Sequence, residues 1–206
     1  MLTKRGIAWI IVSIIILGFI IGFSEKPDFS PYIFVISAAI ILFNVLGKEL
    51  AGKYFYTDIE HKIWEFQQFG FYKRAHFKKP FPIGLVLPFA LSLFSLGIIK
   101  MMTLLQFDGK PSPLRILKKR GLVRKSEVNE SDFAFIAAWG LYSLILLALI
   151  CAIFKIPDIG KFAVYYGIWN LIPFGQLDGS KLFFGSIFNW ILLALIFLIS
   201  LIIVAI

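Results

Sequence analysis

The run Asn170-Leu171-Ile172-Pro173-Phe174-Gly175-Gln176-Leu177-Asp178-Gly179 places a carboxylate just past a proline and a glycine that break an apolar helix. A carboxylate near membrane depth is expensive, so Asp178 is a functional candidate, for example as a residue lining an ion path. The alternative is a cap that satisfies backbone donors near Lys181 and Leu182 at the interface. Asn170 is open to two readings as well, because an asparagine in a broken helix can satisfy the carbonyls the break sets free. A charged pair, Lys48 and Glu49, closes the apolar run before Gly52-Lys53-Tyr54. Lys48 can snorkel to the interface there while Glu49 is solvated, or it can find a buried partner.

These residues must be positioned by membrane helices. The chain has 206 residues, 59% of them hydrophobic, and a mean hydropathy of +0.86, more apolar than a soluble domain of this length can bury. A spanning helix needs roughly 20 mostly apolar residues. Ile7 to Phe23, Tyr32 to Leu46, Phe133 to Phe154 and Leu182 to Ile206 approach or exceed that length, and Phe162 to Phe174 is a shorter fifth run. Ile7 to Phe23 reads as a retained anchor, since Ser24-Glu25-Lys26-Pro27 resembles a surface turn more than a cleavage site.

Lys4 and Arg5 put the N-terminus in the cytoplasm by the positive-inside rule. Two basic loops then have to stay inside. One carries Lys53, Lys62, Lys73, Arg74, Lys78 and Lys79; the other carries Arg115, Lys118, Lys119, Arg120, Arg124 and Lys125. Phe81 to Leu105 lies between them and is interrupted by Pro82, Gly84, Pro88, Ser92, Ser95 and Gly97. The expectation is a re-entrant hairpin that enters and leaves on the cytoplasmic side. Asp58 to Phe69 reads as an amphipathic surface helix, with Ile59, Ile63 and Phe66 on one face. The whole is expected to be one all-α polytopic membrane domain, residues 1–206, with five to six spanning or re-entrant segments.

The net charge of +9 sits beside the apolar runs, so anionic membrane lipid is the expected partner and nucleic acid is not. Cys151, the single cysteine, lies within an apolar run and reads as packing. His61 and His76 read as interfacial polar residues. Several of the five tryptophans fall near span ends, as interfacial anchors do.

The stretch from Asn170 to Gly179 closely resembles the Asn-x-x-Pro-x-x-x-Leu-Asp-Gly motif of the site-2 proteases, the intramembrane zinc metalloproteases. The resemblance implies that Asp178 stands at the third zinc-ligand position and Asn170 where the family holds substrate backbone. The other two family ligands are histidines of a His-Glu-x-x-His motif, spaced i and i+4 so that both imidazoles share one helix face, with the glutamate as general base. Gly47 to Tyr54 resembles that helix with both histidines replaced: Lys48 and Gly52 stand at the ligand positions, and Glu49 keeps the position of the base. Ile136 to Leu141 resembles the family's Ala-Gly-Pro helix start without its proline, and the Phe81 to Leu105 hairpin resembles an insertion of archaeal-type members.

An ammonium cannot ligate zinc while protonated and glycine has no side chain, so the resemblance implies a degenerate site with no resident cofactor. The Lys48 ammonium is then expected to pair with Asp178 or Glu49. The functional expectation is a non-catalytic homologue that binds a transmembrane or extended peptide segment. Two alternatives stand beside it: an active intramembrane metalloprotease holding zinc with atypical ligands, and a small transporter or channel subunit.

Overall fold

The computed structural model describes residues 4–24, 30–68, 76–113, 115 and 128–205. The turn at 25–29, Lys73 and Arg74 of the first basic loop, and Lys118, Lys119, Arg120, Arg124 and Lys125 of the second lie outside these residues.

Helix α1 spans Lys4–Ser24 and α2 spans Pro31–Tyr54, where a proline at the first helical position suits the fixed φ of a helix start. Strands β1 (Thr57–Ile63), β2 (Phe66–Gln68) and β3 (His76–Phe81) follow. Then come helix α3 (Ile83–Phe94) and strand β4 (Leu105–Pro111). The chain ends in α4 (Glu130–Ile153), α5 (Pro157–Leu171), α6 (Asp178–Gly185) and α7 (Ile187–Ala205). Four of these, α1, α2, α4 and α7, are long and apolar enough to cross a membrane. One continuous apolar core joins them, running from Leu17 and Ile20 through Ile40, Leu141 and Tyr166 to Phe197.

The centre of the fold is the crossing of α2 and α4, made close by small residues as in other membrane helix pairs. A side chain at Gly47 would stand 2.7 Å from both the Trp139 carbonyl and Ser143 Oγ. Ser143 Oγ in turn donates to the Phe43 carbonyl at 2.8 Å, and Asn44 Nδ2 donates to the Gly140 carbonyl at 3.0 Å.

Three expectations are corrected. Asp58 to Phe69 is not a helix: Thr57–Ile63 is a strand, antiparallel to β4 from Thr57 opposite Pro111 to Ile63 opposite Leu105. Ile59, His61 and Ile63 point to the core and Asp58, Glu60 and Lys62 away from it, the period of two that a half-buried strand requires. With β2 paired to β3, the mostly helical fold therefore carries two small sheets and is not all-α. The final helix is also not continuous from Leu182. It breaks at Ser186, next to Gly185, where a Cβ would press on Ala134 and the Glu130 carbonyl of α4.

The Phe81 to Leu105 segment holds one 12-residue helix, α3, which continues through Pro88. At 1.5 Å per residue it reaches about 18 Å, well short of the ~30 Å hydrocarbon layer. Both ends of the segment are fastened to Trp64: Gly84 N–H donates to the Trp64 carbonyl and Trp64 N–H to the Leu104 carbonyl, each at 2.9 Å. The hairpin thus leaves and returns at one place.

Candidate functional site

The break after α5 folds the way its residues demand. Gly175 has φ +61°, a left-handed conformation natural to glycine, and lies over the indole of Trp64. Gly179, the second residue of α6, lies directly against the Leu171 carbonyl, where a Cβ would collide with the backbone. The Leu171 carbonyl, freed by the end of α5, accepts the Trp190 indole N–H at 2.9 Å. Asn170 is buried, and its Nδ2 donates to the Tyr166 carbonyl at 2.8 Å, while its Oδ1 has no hydrogen-bond partner among the described residues.

These turns deliver Asp178 into the protein interior, fully buried, with Oδ2 2.6 Å from Nζ of Lys48 on α2. Lys48 is itself 1% exposed and does not snorkel. Its methylenes run past the bare backbone of Gly140, where a Cβ would stand 2.7 Å from Cε, and its ammonium lies 5.2 Å from the Phe107 ring centre. Of the two partners open to Lys48 in the sequence, Asp178 is the one it meets. Asp178 is therefore not merely a helix cap facing solvent.

Glu49 turns the other way and approaches β1. Its Oε1 lies 3.6 Å from His61 Nε2, and His61 is 1% exposed with no closer polar partner for either ring nitrogen among the described residues. Burial holds the His61 imidazole below its usual range, against the pull of Glu49. The expectation that His61 is an interfacial residue is overturned: it sits in the core beside the charged cluster. The alternation of Ile59, His61 and Ile63 was the signal that could have found it. His76 lies in β3, its side chain outside the described residues.

Gly52 lies one turn beyond Lys48, and its side-chain space is already filled. A Cβ would stand 2.6 Å from Ile59 Cδ1 and 2.9 Å from the Thr57 carbonyl. The donor set does not fit tetrahedral zinc. Lys48 offers an ammonium in place of a nitrogen lone pair, Gly52 offers nothing, and the carboxylate that would ligate faces a cation already. Among the described residues no group of three or more His, Cys, Asp or Glu comes together as metal ligands could.

Trp64 is another residue whose place the sequence hid. It is 1% exposed, packed with Met101 and Leu177 and bordered by Ile83, Leu87 and Leu91 of α3, so the hairpin rests on the broken-helix loop through this ring. Lys181, next along α6, donates from Nζ to the Phe107 carbonyl and lies 3.6 Å from the Phe107 ring centre. No family model, curated protein or solved structure matches this chain.

Proposed function

We propose that this chain is a site-2-protease-like, multi-pass membrane protein that binds a transmembrane or extended peptide segment of another membrane protein without cleaving it. The observation that carries the reading is the 2.6 Å contact between Lys48 and Asp178, an internal cation at the carboxylate where the family's motif would place zinc. Glu49 keeps the position of the family's base, but a base needs an activated water to act on, and Lys48 and Gly52 supply no ligand to generate one. Asn170 retains a buried side-chain carbonyl oxygen, without a hydrogen-bond partner among the described residues, that suits hydrogen bonding to a bound backbone. In this reading the N-terminus is cytoplasmic, the α3 hairpin is re-entrant, and lipid covers the apolar outer faces of α1 and α7.

Metal analysis tests this. Purified wild type should carry far less than one zinc per chain even after equilibration with zinc. Restoring ligands with Lys48→His and Gly52→His needs room, so Ile59→Ala accompanies them; this triple variant should acquire zinc that is lost on adding Asp178→Asn. Stoichiometric zinc in the wild type, removed by Asp178→Asn, would revive the active protease. Ion flux in liposomes that disappears with Asp178→Asn would favour a transporter.

A further inference from the structure

One end of the helix bundle, away from Lys48 and Asp178, is where α1 and α3 finish and α2 and α5 begin. Phe19 of α1 meets Phe34 of α2 edge to face, ring centres 6.1 Å apart, and the Tyr32 hydroxyl of α2 donates to Asp158 of α5 at 3.4 Å. Phe89 and Leu93, in the last turns of α3, border Phe19 and Phe23. Helix α3 therefore carries the tip of its hairpin to this end, away from the two fastenings at Trp64. With a cytoplasmic N-terminus this end faces outward.

The tip is a tied turn that displays apolar side chains. Gly97 N–H donates to the Ser92 carbonyl at 2.8 Å, and Ile99 N–H to Ser95 Oγ at 3.0 Å. Leu96, at φ +50°, is held in a left-handed conformation that leucine disfavours, and Gly97 follows at +81°. Phe94, Leu96 and Ile98 are 80–84% exposed as a result. Such exposure is costly in water and free of that cost in hydrocarbon. Two ammoniums stand behind this tip. Lys100 Nζ lies 5.6 Å and Lys161 Nζ 5.4 Å from the centre of the Phe162 ring. Phe162 is buried and both lysines are half-buried. The ring attracts each cation but carries no net charge, so two like charges still meet in a partly dry place. An anion shared by both ammoniums relieves that repulsion.

We propose that Lys100 and Lys161 form a headgroup site for an anionic phospholipid, with its phosphate between the two ammoniums and its acyl chains against Phe94, Leu96 and Ile98. The group recognised is the phosphate oxygen, and the apolar tip beside it selects a lipid over free phosphate. Lysine suits the place, since its long stem lies along apolar surface while its ammonium reaches the headgroup level. Lys100 follows the hairpin's turn and Lys161 belongs to α5, so a bound lipid clips the tip of the hairpin to the helix that leads to Asn170. The site is separate from Lys48 and Asp178 and stands whether or not a peptide is bound.

The test titrates the full chain in detergent with dioleoyl phosphatidylglycerol or dioleoyl phosphatidylcholine and counts retained lipid by native mass spectrometry. Wild type should hold one phosphatidylglycerol in preference to phosphatidylcholine. Lys100→Gln and Lys161→Gln should each weaken that binding about fivefold, and the two together on the order of twentyfold. Lys155→Gln removes one charge from the same end of the bundle and should leave the affinity unchanged. Lys100→Arg with Lys161→Arg keeps both cations and should retain the lipid, which separates loss of charge from disturbed packing. Excess inorganic phosphate should not displace the bound lipid. Equal retention of the two lipids by wild type, an equal loss in Lys155→Gln, a loss in the double arginine variant as large as in the double glutamine variant, or displacement by inorganic phosphate overturns the inference.

Discussion

His61 Nε2 stands 3.6 Å from Glu49 Oε1 in the protein interior, linking the middle of β1 to the last turns of α2. The imidazole has Lys48, Glu49 and Asp178 as its charged neighbours and is opposite Phe107 on β4. A buried histidine beside an ammonium and two carboxylates couples folding to pH.

Acid should destabilise the protein through His61. Burial lowers its pKa below the ordinary 6.5, so in acid the unfolded chain binds a proton that the folded chain resists. Stability from this group is complete above about pH 6.5 and declines as pH falls below it. Thermal melts in detergent from pH 7.5 to 5 should show this decline, and His61→Gln should flatten it in that range. An equal slope in both proteins would contradict the assignment.

The α2–α4 crossing should not tolerate bulk. Gly47→Ala forces a Cβ against the Trp139 carbonyl, which as backbone cannot rotate away, and should cost about 1–3 kcal/mol. Gly160→Ala on α5 is the control. Its Cβ would meet only ordinary contacts at 3.6–3.8 Å, so stability should stay level or rise by a few tenths to about 1 kcal/mol from better helix propensity. Melting temperatures that fall equally would remove the packing explanation.

Arg115 fastens the start of α4 to the end of α2. Its Nη2 lies 2.5 Å from Asp132 Oδ2 and its Nη1 donates to the Phe55 carbonyl at 2.9 Å. Arg115→Met should therefore destabilise by about 1–3 kcal/mol, measured by chemical unfolding in detergent. Arg115→Lys should recover only part, since one ammonium cannot reproduce the two-armed guanidinium. Full stability in Arg115→Met would show that the contact is ornamental.

What was legible in the sequence follows from where the physics is local. The four long apolar helices were readable, and so was the choice facing Lys48, a buried carboxylate or the interface; that its partner is Asp178 and not Glu49 depends on how the break after α5 delivers the carboxylate. The β1 strand was not. Ile59 and Ile63 are four apart, which satisfies both a helical face and an alternating strand, and Phe66 extends the helical spacing although it belongs to β2. The tie is broken by β4, more than 40 residues away along the chain, which pairs with β1. The same ambiguity hid His61, whose burial depends on the strand's facing. Trp64 carries no sign of its place in the sequence, because its burial is made by α3 and the Gly175 loop, neither of them near it along the chain. Lys181 reads as an ordinary basic residue until α6 carries its ammonium onto the Phe107 carbonyl of β4.

A double-mutant cycle on Lys48 and Asp178 tests most directly the claim that an internal ammonium stands where the family places its metal. Lys48→Met leaves a buried carboxylate unpaired, Asp178→Asn leaves a buried ammonium unpaired, and each should destabilise by about 3–5 kcal/mol. The double variant, with neither charge, should be less destabilised than the sum of the two, by a coupling energy on the order of 2–3 kcal/mol in detergent. Additive losses, with coupling near zero, would mean that the two groups are not a pair and would contradict the account.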